Sequence, residues 1–244
     1  MTSLSLVSLN IEREKHLELV VPFLKKQNAD VVCLQELFER DIPQIESALS
    51  AKCFFTPSTL YPSEKGLVAE GTGIFTRFPR SDALVEHYAG HEGKLVPFAE
   101  GMSPEEKAKT QSYTLAVETV EKDGVSFRVG TTHFVWTPDG ETDDIQRAGV
   151  ENMLAKIHRI GELVLCGDMN APRGKEIFSR IAETLKDNIP PEYTTSIDGK
   201  LHRVGPLPYM VDGLFTTAGY QATDVKLIPG VSDHCAVVAT ISHV

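Results

Sequence analysis

The chain has 244 residues, 41% hydrophobic and 24% charged, an ordinary balance for a globular protein and enough to bury a sizeable core. Its formal charge of −10 argues against a broad basic face for grasping long nucleic acid, although a few local Arg and Lys residues still suffice to position one phosphate. No apolar run approaches the ~18 residues of a membrane span, and "MTSLSLVSLN" lacks the basic and apolar regions of a signal peptide.

Cys33, Cys166 and Cys235 lie in apolar runs, and together with Cys53 they show no zinc-type spacing. Reduced thiols and a cytoplasmic address are the expectation.

In chain order, residues 4–10 ("LSLVSLN") read as a strand, and 14–28 as a helix carrying Leu17, Val20, Val21 and Leu24 on one face. A buried strand is predicted at 30–36, a short helix at 41–50 and a strand at 72–76. Residues 114–134 have the form of a hairpin turning at Asp123-Gly124. The spacing of Val150, Met153, Leu154 and Ile157 predicts a helix over 143–160, with Asp143 capping and Gln146 three residues on. Strand 163–167, helix 174–184 and strands 210–216, 222–228 and 236–241 follow. Residues 186–208 read as a long loop. The stretch 84–112 has no clear periodicity, and loops of that length are usually functional or disordered. No segment resembles an interdomain linker, so residues 1–244 are expected to form one domain. Hairpins mixed with helices favour two packed sheets with helices outside.

Polar residues recur at strand ends. Asn10, Glu36, His133 and Asp168 each close a strand, Asp212 lies within "YMVDGLF", and Asp233-His234 precedes the last strand. By alternation Asn10 shares a face with Leu4 and Leu6, Glu36 with Val32 and Leu34, and His133 with Phe127 and Val129. Singly, each has an ordinary reading as a turn residue or a hydrogen-bonded core histidine. Gathered together, the four carboxylates would repel by roughly 4 kcal/mol per close pair at an effective dielectric near 20. A hard divalent cation relieves that repulsion, and oxygen ligands point to Mg²⁺, with Mn²⁺ the alternative.

The stretches "SLNIE", "VVCLQELF", "GTGIFTRFP", "GTTHF", "LCGDMNAP", "YMVDGLF" and "GVSDHCAVVATI" occur in this order over residues 6–241. Together they resemble the endonuclease/exonuclease/phosphatase superfamily, which includes DNase I, exonuclease III, neutral sphingomyelinases and inositol polyphosphate 5-phosphatases. The resemblance implies a four-layered α/β sandwich, two packed mixed β-sheets flanked by helices, with the site at one edge. It also implies metal-assisted phosphoester hydrolysis.

Carried over, Glu36 is the principal Mg²⁺ ligand, with Asn10 beside it and Asp233 close by. On the same resemblance Asp168 would orient or deprotonate the attacking water, and Asn170 would donate to a phosphoryl oxygen. The resemblance likewise implies that His234 hydrogen-bonds the phosphate, held in its tautomer by Asp212, and that His133 contacts the phosphate from the opposite side.

His133 within "GTTHF" places the chain nearer the DNase I, sphingomyelinase and deadenylase side than exonuclease III. Gly213 after Asp212 departs from the 5-phosphatase pattern. "TQSYT" lacks the Arg that many relatives carry shortly before the strand beginning here at Thr114.

Arg173, Arg203 and Trp136 are candidate substrate contacts, whereas Arg147 reads as a solvated salt-bridge partner. Residues 84–112 are the candidate substrate-selecting lid. The expected function is a phosphodiesterase acting on nucleic acid ends or short oligonucleotides. The alternatives are a phospholipid or small-metabolite phosphoesterase and, more remotely, a noncatalytic binding module.

Overall fold

Twelve strands make two six-stranded sheets among the residues described by the computed structural model, 2–63, 66–98, 101 and 103–244. The first half of the chain runs β1 (Ser3–Asn10), α1 (Leu17–Gln27), β2 (Val31–Phe38), α2 (Ile42–Leu49), β3 (Lys52–Ser63), β4 (Gly66–Thr76) and β5 (Arg80–Gly90). It continues with α3 (Pro104–Ala108), β6 (Ser112–Lys122), β7 (Val125–His133), α4 (Asp144–Ile160) and β8 (Val164–Asp168). The remainder is α5 (Glu176–Ala182), β9 (Lys186–Asp187), β10 (Asp212–Thr216), β11 (Tyr220–Ile228) and β12 (Ala236–His243). The strand orders are β11-β12-β1-β2-β4-β3 and β5-β6-β7-β8-β10-β9.

Three apolar clusters define four layers. Leu4, Leu6, Cys33, Ile74, Phe127, Val129 and Leu214 fill the space between the sheets. Val7, Leu9, Val32 and Leu34 face Val20 and Leu24 of α1 and Ile45 of α2 on one outside. Leu115, Leu165 and Phe215 face Val150, Met153 and Ile157 of α4 and Phe178 of α5 on the other. The α–β–β–α sandwich follows from strands apolar on both faces, which must be covered twice.

Each sheet contains one parallel pair, β1–β2 and β7–β8, among otherwise antiparallel neighbours. A parallel pair ends both its strands at the same edge of its sheet, and those ends carry Asn10, Glu36, His133 and Asp168. The site therefore forms where two parallel pairs terminate side by side.

Several elements differ from the sequence-based expectation. Residues 84–90, read as loop, belong to β5, and the described residues of 91–111 carry irregular backbone and the five-residue α3. β5 is an edge strand with mostly exposed side chains, and its register shifts twice against β6, so no period-two apolar pattern survives. β3, over which no strand is predicted, is also an edge strand and tolerates Pro57 and Pro62 for that reason. β4 starts six residues earlier than the predicted 72. Asp143 does cap α4, its side chain accepting from the Gln146 N–H at 2.8 Å. The Gln146 carboxamide does not return to the cap but donates to the Val135 carbonyl at 2.7 Å.

The β7–β8 contact demands glycine at 167, where φ is +140° and a Cβ would lie 2.0 Å from the Thr132 carbonyl oxygen. Replacing Gly167 with Ala should cost at least about 2 kcal/mol, through overpacking and backbone strain. Urea unfolding of the two proteins measures it, and a loss below about 0.5 kcal/mol would show that the strands separate freely.

Candidate active site

Asp212, Asp168 and His133 stand in one row across β10, β8 and β7, each paired in register with its neighbour. Asp168 is 2% exposed. Its Oδ1 accepts from the Asn170 N–H at 2.8 Å, and its Oδ2 from the Asn10 carboxamide of the opposite sheet at 3.1 Å. His133 Nε2 lies 3.6 Å from Asp168 Oδ2, and His234 Nε2 lies 3.8 Å from it. His234 Nδ1 is 2.7 Å from Asp212 Oδ2, which fixes the ring and leaves Nε2 facing Asp168.

The turn after β8 bends back through Asn170 in a left-handed conformation (φ +48°). The Asn170 carboxamide donates to the Phe134 carbonyl at 2.9 Å, and the Asn170 backbone carbonyl accepts from the Gln146 carboxamide at 3.4 Å. Gln146 thus braces that turn from α4. On the other flank the 186–211 segment, an irregular loop apart from β9, reaches into the site. Ser196 Oγ accepts from the Asp212 N–H at 3.1 Å, and Ile197 forms a β-bridge with His234.

Glu36 reaches the site by a route that alternation does not predict. Parity places it with Val32 and Leu34, under the helices. The register of β2 against β4 shifts between Leu34 and Leu37, and Glu36 adopts φ +52°. The bulge turns Glu36 towards Asn10, whose carboxamide donates to Glu36 Oε1 at 3.1 Å. Gln35 takes the position between the sheets instead, donating to Thr131 Oγ1 at 3.0 Å.

Asn10 Oδ1 accepts the Glu12 N–H at 3.0 Å, so its NH₂ group faces the carboxylates. In this geometry Asn10 joins Glu36 to Asp168 through its NH₂ group.

Residues overlooked in the sequence surround Glu36 and Asp233. The Arg13 guanidinium pairs with Glu36, lies 3.6 Å from Glu70 Oε2 and stacks 4.5 Å from the Tyr61 ring centroid. Glu12, His16 and Asp233 bring three donor atoms within 4.8 Å, as do Asp168, Asp212 and His234. His16 Nε2 is 3.0 Å from Glu12 Oε2, and Lys15 also pairs with Glu12. The one available signal was position, because Glu12 and Arg13 directly follow "SLNI" at the end of β1.

Burial would raise the Glu36 pKa, but Arg13, helped by His133, holds it below the ordinary carboxylate value. Burial pushes Asp168 up, a push that His234 opposes and Asp212 reinforces. Burial likewise raises Asp233 against the pull of His234, with Glu12 and Glu36 adding to the rise. Burial alone would lower His234, yet Asp212 and Asp168 carry it well above the ordinary imidazole value. Negative charge in excess of its protein partners is the electrostatic setting a divalent cation fits.

The candidate substrate contacts fare differently. Arg173 donates to the carbonyls of Ile189 (2.9 Å), Tyr193 (3.3 Å) and Pro190 (3.4 Å) and pairs with Asp187 at 2.8 Å. Its Nη groups thereby staple a loop, while its Nε is buried with no hydrogen-bond partner. Arg203 is exposed and has no polar partner among the described residues. Trp136 is 42% exposed, with Lys107 Nζ 4.7 Å from its ring centroid. Arg147 forks onto Glu176 at 2.7 and 2.9 Å, the surface pairing expected of it.

Residues 7–234 match the sequence model of the Endonuclease/Exonuclease/phosphatase family. No curated protein sequence matches the chain. Among solved structures, the human Nocturnin catalytic domain with bound sulfate superposes with TM-score 0.74 at 17% identity, covering 99% of this chain and 95% of that one. An endonuclease/exonuclease/phosphatase from Bacteroides vulgatus gives 0.72 at 18% identity and 100% coverage of both. ANGEL2, a 2',3'-cyclic phosphatase in complex with adenosine-2',3'-vanadate, gives 0.66 at 16%, covering 98% of this chain and 95% of that one. At these identities the likeness establishes the fold.

Glu70, 2% exposed, has a pKa pushed up to about 8 by burial and by Glu36, with Arg13 opposing. The folded chain therefore keeps a proton that the unfolded chain gives up above its ordinary 4.5. Stability from this group is full below 4.5 and falls as pH rises towards 8. In EDTA, Glu70→Gln should lose less stability between pH 5 and 8.5 than the wild type does. Parallel thermal melts check this, and identical pH slopes would show that Glu70 ionises freely in the fold.

Proposed function

The chain belongs to the endonuclease/exonuclease/phosphatase family, and on that premise we propose that it is a magnesium-dependent phosphodiesterase acting on nucleic acid ends or short oligonucleotides. The observation that carries the chemistry is the row His133–Asp168–Asp212 with His234 seated on Asp212 at 2.7 Å. Two imidazole Nε2 atoms converge on one buried carboxylate, an arrangement suited to a phosphoryl group that must be gripped while water attacks it.

Asp168 is the residue proposed to orient the water and take its proton. His234, kept protonated by Asp212 and Asp168, donates to a phosphoryl oxygen, and His133 does so from the β7 side. Asn170 is proposed as a further donor, although its NH₂ group here serves the Phe134 carbonyl at 2.9 Å. Glu36 and Asp233 would hold the metal, with Glu12 and His16 next to Asp233. The ion, Mg²⁺ or Mn²⁺, would supply charge neutralisation at the phosphate and leaving oxygen. Asn10 keeps Glu36 and Asp168 in a fixed relation through its two N–H donors.

Two observations favour a nucleotide substrate over a lipid. Trp136 offers an exposed aromatic face next to a lysine, the pairing that stacks bases and neutralises phosphate. ANGEL2, alike in fold over nearly the whole chain, holds an adenosine vanadate. Arg203 stands free to meet a flanking phosphate.

Asp168→Asn and His234→Ala should each lower kcat by roughly 10²- to 10⁴-fold while the protein stays folded. EDTA should abolish turnover of a short oligonucleotide and Mg²⁺ restore it, with Glu36→Ala inactive in both conditions. Product release from a panel of oligonucleotide, sphingomyelin and inositol phosphates reads all of this. Full activity in EDTA would remove the metal, and turnover confined to a lipid or inositol phosphate would remove the nucleic acid.

A further inference from the structure

The turn that leaves β1 and the turn that enters β12 run side by side, because the two strands pair antiparallel up to Ser8 and Val237. That pairing sets Glu12 and His16, on the way to α1, against Asp233. The backbone on both flanks is fixed from outside this cluster. The Glu12 N–H donates to Asn10 Oδ1 at 3.0 Å, and the Asp233 carbonyl accepts the Asp198 N–H at 2.8 Å. A site held in this way is preorganised before anything binds it.

Glu12 is 7% and Asp233 8% exposed, so two carboxylates are buried together. Lys15 pairs with Glu12 from a half-exposed position. Asp233 has no cation within 4 Å among the described residues, and its carboxylate takes a hydrogen bond from Ser232 Oγ at 3.1 Å. A neutral hydroxyl does not offset a carboxylate charge at that depth. His16 Nε2 faces the same space, 3.0 Å from Glu12 Oε2, and the three donor atoms lie within 4.8 Å of one another.

An imidazole between two carboxylates offsets at most one of them, whereas a divalent ion offsets both. The spacing fits such an ion. Ligand bonds of about 2.1 Å put neighbouring ligand atoms about 3 Å apart around a six-coordinate ion, and His16 Nε2 and Glu12 Oε2 have that separation. The other mixed cluster, Asp168–Asp212–His234, is organised differently, with His234 Nδ1 held by Asp212 at 2.7 Å and Nε2 turned towards Asp168. Oxygen ligands alone suit Mg²⁺, and an imidazole nitrogen among them shifts the preference towards first-row transition ions.

We propose that the His16 imidazole is a metal ligand, holding a divalent ion together with Glu12 and Asp233, and that this nitrogen makes the site prefer Mn²⁺ to Mg²⁺. This deepens the phosphodiesterase reading above and rests on its metal.

The test is binding of Mn²⁺ and of Mg²⁺ to the full chain. Pulsed EPR of bound Mn²⁺ should show nitrogen coupling from an imidazole, kept in His234→Ala and lost in His16→Gln. The EPR signal of free Mn²⁺ gives its Kd, and competition gives that of Mg²⁺. His16→Gln should weaken Mn²⁺ binding by about tenfold or more and Mg²⁺ binding by less than about threefold. In EDTA the variant should melt with the wild type, and added Mn²⁺ should raise its Tm less. The wild-type spectrum reads the nitrogen without depending on any variant.

Bound Mn²⁺ without nitrogen coupling, while phosphoester cleavage stays sensitive to EDTA, would overturn the inference and leave the metal-dependent phosphodiesterase standing. Coupling kept in His16→Gln and lost in His234→Ala would also overturn it, moving the ion to the Asp168–Asp212–His234 cluster. If neither ion binds and cleavage proceeds in EDTA, the metal reading falls and the His16 inference with it.

Discussion

A single buried carboxylate, Asp168 at the end of β8, is where the two halves of the sandwich meet. It takes a hydrogen bond from Asn10 of the opposite sheet, one from the turn that follows it, and the approach of two histidines. A carboxylate at 2% exposure is costly to bury without such company. The constraint runs outwards: His234 requires Asp212 behind it, Asp212 is pinned by Ser196, and Asn10 must present its NH₂ side. Side chains far apart in sequence are held in one relation because each satisfies the polarity of the next.

Local irregularity in otherwise regular strands delivers these groups. Glu36, Asn170, Glu12 and Arg13 all have positive φ, a conformation that costs a side-chain-bearing residue on the order of 1 kcal/mol. The strands supply rigidity, and the left-handed residues at their ends supply direction. Around Glu36 and Glu70 one arginine stands between two buried carboxylates, so only Glu36 is held below its ordinary pKa while Glu70 rises to about 8. That imbalance is the counterpart of the cation site proposed beside it.

Much of the fold was legible because burial writes itself into periodicity. The parallel strands β1, β2 and β8 and the amphipathic α4 bury apolar residues at regular spacing, and all four emerged close to their predicted limits. Edge strands have no such obligation: β5 shows exposed residues and two register shifts, and β3 carries two prolines. The same contrast holds in the site. Asn10 and His133 were placed on the correct face by alternation, whereas one bulged residue defeats the parity of Glu36. The partners of Arg173, Asp187 and three backbone carbonyls of a loop, were hidden in the sequence because no local pattern reveals that loop's path.

The pairing of β1 with β12 has a consequence for the order in which this protein can be made. β1 lies between β2 and β12, so β1 completes its ladder only after β12 has been made. Asp168 likewise waits for His234, which stands just before β12. Contacts of such sequence separation close late and slowly in folding. During synthesis the centre therefore stays unassembled until β12 has been made and has docked beside β1.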